Sequence, residues 1–378
     1  MDRLKLIITL PVLALFFTLC SKDNNPVVSG INNMPGELPL LNRSNKIGTI
    51  KGFNPSNPPA TSDSMAVRWQ EALNSGMSVG RLQIDWPELE PVPGIFNQTL
   101  LEEELSKMKN QGLQTFLLIS AYDSEGPIIP ADLQGKDFND PELIERFKTL
   151  MDWIIPMLIE YDGFLISVIN EADNDFAEHP GLYKEIVTFL AETRKHVHQI
   201  NDNMAVTATI AEGSLDDGRP GIREIIAESD VACWNFYGTN LQFMSPYFVE
   251  QTESEVKADL QRLIEISGDK KIVIQELGMH SGNRLLNSSE EIQRRFFKLF
   301  FEEMNTNEQI KVAYNFQLVD WSPEVSELLA QGFESEEVPQ EFIDQWKESL
   351  ETVGLINYSD GSRKEAWHEF LFWLEELN

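Results

Sequence analysis

The sequence predicts an α/β fold of the (β/α)8 TIM-barrel type, on three observations. Eight short apolar or β-rich runs alternate with eight amphipathic stretches. The loop after the first run, GFNPSNPPATSD, has neither GxGxxG nor GxxxxGK[ST], the glycine loops that usually mark the rival reading, a doubly wound open sheet. The length, 378 residues, leaves room for one large domain, since barrels often run past about 250 residues as a single unit.

The chain opens on a segment outside that count. Arg3 and Lys5 precede an uncharged apolar run from Leu6 to Leu19, the charged and apolar regions of a secretory signal over residues 1 to 20. At 14 residues the run is short for a membrane span, which needs about 20. Its end at Cys20 resembles a bacterial lipoprotein signal, in which that cysteine becomes the lipidated first residue, although Leu19 stands where such signals usually carry a small residue. The expectation is a secreted or cell-surface protein, lipid-anchored at a bacterial outer membrane. Plain secretion and an uncleaved anchor are the alternatives. Residues 21 to 45, rich in Asn, Pro, Gly and Ser and without a helical or strand period, read as a flexible tether. Residues 46 to 378 read as one domain.

Within it the strand-like runs are Ile47 to Phe53, Val79 to Trp86, Gln114 to Tyr122, Phe164 to Asn170, Ala205 to Ile210, Val231 to Tyr237, Lys271 to Glu276 and Ile310 to Leu318. Amphipathic stretches follow near 63 to 75, 99 to 111, 141 to 160, 181 to 200, 219 to 228, 253 to 267, 289 to 306 and 363 to 377. Residues 319 to 362 exceed the eight-fold count and place extra helical material, roughly 324 to 350, in the loop after the last strand. In a barrel that loop lies on the catalytic face.

Charge narrows the partners. The 61 acidic residues against 30 basic ones give a formal net charge of −31, so DNA, RNA or a uronate-rich polymer would be repelled by most of the surface. Two cysteines cannot make a disulfide framework, and five histidines without HExxH or CxxC spacing offer no recognisable zinc or redox site. Neither a metal nor a cofactor is expected.

A barrel enzyme carries its chemistry at the C-terminal ends of the strands. The fourth run ends in Asn170 and Glu171, and the seventh in Glu276. Two glutamates at opposite sides of one mouth suit glycoside cleavage, where one carboxyl protonates the leaving oxygen and the other attacks the anomeric carbon. Five separated segments then resemble one group. They are GRLQIDWPELEPVPGIFN (80 to 97), INEADN (169 to 174), WNFYG (234 to 238), IVIQELG (272 to 278) and GLINYSDGSRKEAWHEF (354 to 370). In this order they resemble the retaining (β/α)8-barrel glycoside hydrolases of the large clan A type, the cellulase, mannanase and galactanase kind, over residues 46 to 378.

The resemblance implies Glu171 as general acid/base and Glu276 as nucleophile. It implies Arg81 and Tyr237 as the groups that hold the nucleophile's charge and orientation, and Asn170 as the partner of the sugar 2-hydroxyl. Sugar rings stack on aromatic faces, which makes Trp86, Phe316 and Trp321 candidates for substrate contact, although Trp86 is the better fit to a packed strand-two corner. Alignment on LVD puts Phe316 where the clan usually has a Trp, whereas Trp321 follows five residues later; Trp321 is favoured. His280, four residues past the nucleophile, is a further candidate for substrate contact. The acidic run ESEE at 334 to 337 reads as a solvated face, since it lacks calcium-loop spacing.

The sequence therefore implies a glycosidase that acts on an oligo- or polysaccharide, a neutral β-linked glycan, without a cofactor and without nucleic-acid partners, its only membrane contact an N-terminal lipid anchor. The alternatives are a surface glycan-binding lipoprotein that keeps the barrel without turnover and a transglycosylase that uses the same covalent intermediate.

Overall fold

Eight parallel strands pair in one sheet: β1 (Lys46–Thr49), β2 (Val79–Asp85), β3 (Gln114–Ser120), β4 (Gly163–Asn170), β5 (Ala205–Ala211), β6 (Ala232–Tyr237), β7 (Ile272–Gly278) and β8 (Ile310–Asn315). Their order, β1-β8-β7-β6-β5-β4-β3-β2, is that of a (β/α)8 barrel laid open between β1 and β2. The computed structural model describes residues 45–50, 64–124, 126–215, 218–241, 248–250, 252–332 and 338–377. The expected signal segment with Cys20, nearly all of the tether and the ESEE run lie outside these residues.

The side-chain alternation of a strand builds two cores. Val79, Phe116, Leu165, Ala205, Val231, Cys233, Val273, Val312 and Tyr314 pack inside the barrel. The intervening residues face the helices: on β6, Trp234 donates to Ser267 Oγ at 3.1 Å and Phe236 stacks on Phe296. At the seam β1 and β2 come side by side, with Lys46 Nζ donating to Ser78 Oγ at 3.1 Å. Only a glycine fits there. A Cβ on Gly48 would stand 2.7 Å from the Val79 carbonyl oxygen and 2.8 Å from the Tyr314 ring.

The outer helices are α1 (Ser64–Asn74), α2 (Gln98–Asn110), α3 (Pro141–Glu160), α4 (Leu182–Ile200), α5 (Ile222–Glu228), α6 (Glu253–Ser267) and α7 (Glu290–Thr306). Local chemistry sets their starts. Asp140 caps α3 by accepting from the Glu142 amide at 2.8 Å, with Pro141 at the first helical position. Thr252 and Glu255 form a capping box on α6. On α3, Leu143, Phe147, Leu150, Met151, Ile154 and Leu158 recur at helical spacing and are the buried face.

The extra material after β8 forms α8 (Pro323–Ala330) and α9 (Gln340–Leu350) before the closing helix α10 (Glu365–Leu377). The sequence carries the eighth strand to Leu318, but β8 ends at Asn315 because Gln317 has φ of 74°. A buried ion pair pins this excursion. Lys364 Nζ reaches Asp320 Oδ1 at 2.6 Å and the Thr352 carbonyl at 2.9 Å, while the Gly354 amide donates to the same Asp320 oxygen at 2.8 Å. Lys364→Met is therefore expected to lower unfolding stability by about 3–5 kcal/mol, because it strands a buried carboxylate without its cation. Denaturant titration measures it, and a second change of Asp320→Leu should recover most of the loss.

Candidate active site

The mouth of the barrel is built by strand ends, and two irregularities aim its carboxyls. The β4–β5 register shifts between Ser167 and Asn170, and the β7–β6 register shifts between Ile274 and Glu276. Such breaks let consecutive residues point the same way. Gln275 and Glu276 accordingly both face inward. Gln275 Nε2 donates to Asn170 Oδ1 at 2.9 Å, and Glu276 meets Arg81 and Tyr237. Glu171 has the left-handed backbone φ of 49°, held by the hydrogen bond its backbone N–H donates to the Thr209 carbonyl at 2.9 Å. Strain of this kind persists where the surroundings over-determine it.

The two glutamates sit in different surroundings. Glu276 Oε1 lies 3.1 Å from Arg81 Nη2, and Oε2 accepts from the Tyr237 hydroxyl at 2.6 Å. Glu171 Oε1 accepts from Asn235 Nδ2 at 2.8 Å, and Oε2 from Asn174 Nδ2 at 3.3 Å, so neutral amides hold it. Burial, and then the charge of Glu276, pushes the Glu171 carboxyl up to about 8. Burial raises Glu276 as well, but the Arg81 cation and the Tyr237 hydroxyl oppose the shift. Between two carboxyls that repel each other, the proton rests on the one without a cation. That is Glu171. A protonated acid beside an ionised carboxylate is the pair that protonation and nucleophilic attack need.

Around them runs a polar rim. Arg81 Nη2 donates to Gln83 Oε1 at 2.8 Å, and Gln83 Nε2 reaches Ser120 Oγ at 3.0 Å and Asp123 Oδ2 at 3.3 Å. Asn170 Nδ2 donates to Asp123 Oδ1 at 2.9 Å. The structure thus brings Arg81, Asn170, Glu171, Tyr237 and Glu276 into one mouth. Sequence reasoning missed Gln83, Asp123, Asn235 and Gln275. The period of two could have found half of these, since Gln83 shares a face with Arg81, and Asn235 with Tyr237.

The aromatic and histidine expectations fare unevenly. Phe316 and Trp321 are both half-buried. Phe316 stands edge-on to Tyr237 with ring centroids 5.7 Å apart, and Trp321 packs on Phe316 at 6.5 Å. The ring beside Tyr237 is therefore Phe316, with Trp321 packed against it. Trp86 is a correction to the list of substrate contacts and takes the packed strand-two corner that fitted it better: it is fully buried, edge-on to Phe147, and donates to Glu90 at 2.9 Å, so no ring face is open to a sugar. His280 is the second correction. It is 2% exposed and neither ring nitrogen has a hydrogen-bond partner.

Burial lowers the His280 ring to about 4, against an ordinary value of 6.5. The unfolded chain then binds a proton that the folded one refuses, so stability is complete above about pH 6.5 and is lost as pH falls toward 4. At 1.36 kcal/mol per unit this amounts to roughly 3 kcal/mol. Urea midpoints at pH 7 and pH 4.5 should show His280→Leu losing less than the parent protein on acidification.

Among the described residues no group of three or more His, Cys, Asp or Glu side chains is placed to hold a metal ion, and no helix is long and apolar enough to cross a membrane. No protein-family model matches the chain, and no curated protein matches it. Solved structures do. A GH5_18 protein from Bifidobacterium longum subsp. infantis superposes with a TM-score of 0.62 at 16% identity, over 89% of this chain and 79% of that one. A GH5_18 variant from Streptomyces cattleya, solved in complex with Manb1-4GlcNAc, gives 0.62 at 14% identity over 88% and 81% of the two chains. The likeness is one of fold. The exo-beta-1,4-mannosidase Op5Man5 from Opitutaceae bacterium strain TAV5 extends it, with a TM-score of 0.58 at 14% identity over 88% of this chain and 59% of that one. These matches agree with the barrel expected from the clan A resemblance.

Proposed function

We propose that the chain is a retaining glycoside hydrolase of a neutral β-linked glycan, with Glu171 as acid/base and Glu276 as nucleophile. One observation carries the reading. Two carboxyls share a barrel mouth, one held by amides and the other by a cation and a phenol. Glu171 gives its proton to the glycosidic oxygen as the Glu276 carboxylate attacks the anomeric carbon, so the C–O bond to the aglycone breaks and an ester to Glu276 forms. Arg81 and Tyr237 keep Glu276 ionised and aimed. Glu171, now a carboxylate, takes a proton from water, which displaces Glu276 and regenerates both groups. Carboxylates and water suffice for the cycle.

One structurally similar protein was solved with Manb1-4GlcNAc and another is an exo-beta-1,4-mannosidase, so β-mannosides come first among the substrates to try. The same reading keeps the protein at the cell surface through a lipid on Cys20. A panel of aryl β-glycosides and soluble β-glycans, given to protein lacking residues 1 to 44, tests the activity. Release of sugar from at least one neutral member is expected. Binding without release would favour the glycan-binding lipoprotein.

A further inference from the structure

The amides beneath the two carboxyls form a chain with one allowed direction. It is anchored at Asp123, whose carboxylate only accepts, so the Asn170 side chain must turn its Nδ2 toward Asp123 Oδ1, 2.9 Å away. Asn170 Oδ1 then faces inward and accepts from Gln275 Nε2 at 2.9 Å. With its nitrogen so committed, Gln275 offers Oε1 to the Thr209 hydroxyl at 2.7 Å. Gln275 Nε2 also reaches Asn235 Oδ1 at 3.4 Å, which leaves Asn235 Nδ2 pointing at Glu171 Oε1, 2.8 Å away, and at Asn170 Oδ1, 3.4 Å away. No amide in the chain can flip without setting two donors or two acceptors face to face.

We infer that Asn235 is a positioning residue that fixes which oxygen of Glu171 carries the acid proton. An NH2 group donates and never accepts, so Oε1 must present a lone pair to Asn235 in both protonation states. Both oxygens face an NH2 group, but the contact at Oε1 is the shorter, 2.8 Å against 3.3 Å, and suits the carbonyl oxygen, the stronger acceptor of a neutral carboxyl, which leaves the proton to Oε2. That oxygen has only the longer contact from Asn174 Nδ2 at 3.3 Å, which a hydroxyl oxygen can keep while its hydrogen points away. Arg219 Nη1 donates to Asn174 Oδ1 at 2.7 Å and so fixes this second amide as well. The aglycone oxygen receives its proton from Oε2, and Asn235 holds the carboxyl plane in which Oε2 faces the bond that breaks. The inference rests on Glu171 being the acid of the proposed hydrolase.

Leaving groups test it. Phenyl glycosides need the acid's proton, whereas dinitrophenyl glycosides leave without it. Asn235→Ala should lower kcat/KM for the phenyl glycoside about 10- to 100-fold, the range expected from misplacing an acid, and change the dinitrophenyl glycoside less than about threefold. Equal losses on both substrates would overturn the inference and leave Asn235 a merely structural residue. Glu171→Gln in the same series separates the two levels. If it shows no leaving-group dependence, the assignment of Glu171 fails and the role of Asn235 fails with it. A second measurement needs no turnover. In protein carrying glutamate labelled with 13C at the side-chain carboxyl, the Glu171 resonance, assigned by its absence in Glu171→Gln, should titrate at higher pH in Asn235→Ala, which lacks a donor to the ionised form. An unchanged titration would contradict the inference.

Discussion

Glu276→Gln should abolish turnover, with kcat lower by at least about 10⁴-fold on every glycoside that the unmodified protein cleaves. The amide is nearly the size of the carboxyl, so the fold should keep its thermal midpoint and saccharide affinity should survive. The reason lies in what surrounds the group. Arg81 at 3.1 Å and the Tyr237 hydroxyl at 2.6 Å are arranged for a negative charge, and in the proposed mechanism that charge is also the nucleophile. No good leaving group can compensate, because the missing step is attack on carbon. Measured kcat above about one hundredth of the parent value would mean that Glu276 does not attack.

Glu171→Ala should behave differently, and the difference separates the two roles. With poor leaving groups the loss should fall in the general acid range, about 10²- to 10⁴-fold. With a dinitrophenyl leaving group the first step needs no proton, so the glycosyl-enzyme should form rapidly and then accumulate for want of a base. Added azide, a nucleophile that needs no base, should restore turnover and give a β-glycosyl azide. In the proposed mechanism the first step of the unmodified protein requires the protonated acid. Because burial and the Glu276 charge hold Glu171 protonated up to about pH 8, kcat/KM should persist through neutrality and decline as pH rises through that value. The acidic limb should follow protonation of Glu276. A basic limb that survived in Glu171→Ala would belong to another group.

Much of the barrel was legible because strands and helices differ in period, and the period survives errors of a few residues at each boundary. Glu171 and Glu276 were legible for a related reason: each ends an apolar run whose interior residues are committed to packing. The orientation of residues near them was not. Trp86 lies one residue past β2, and its distance along the chain from Arg81 says nothing of the Glu90 and Phe147 pocket that encloses it. His280 follows β7 closely, yet the chain carries it into the interior, where Ser288 Oγ donates to its carbonyl at 2.7 Å. The place of Phe316 was hidden too, because Gln317, whose positive φ ends β8 early, leaves Phe316 against Tyr237. Asn235 and Gln275 escaped notice because an amide inside a strand has no motif. Their importance comes from the direction of a hydrogen-bond chain across four strands.

The most direct test of the two-glutamate chemistry is to trap its intermediate. A 2-deoxy-2-fluoro-β-glycoside with a dinitrophenyl leaving group, of the sugar that the panel identifies, slows both steps but leaves the first the faster. Mass spectrometry of the intact protein should show one added fluoroglycosyl group, and peptide mapping should place it on Glu276 as an ester. An adduct on another residue, or no adduct together with inversion at the anomeric carbon in the natural reaction, would contradict the double displacement and the roles given to Glu171 and Glu276.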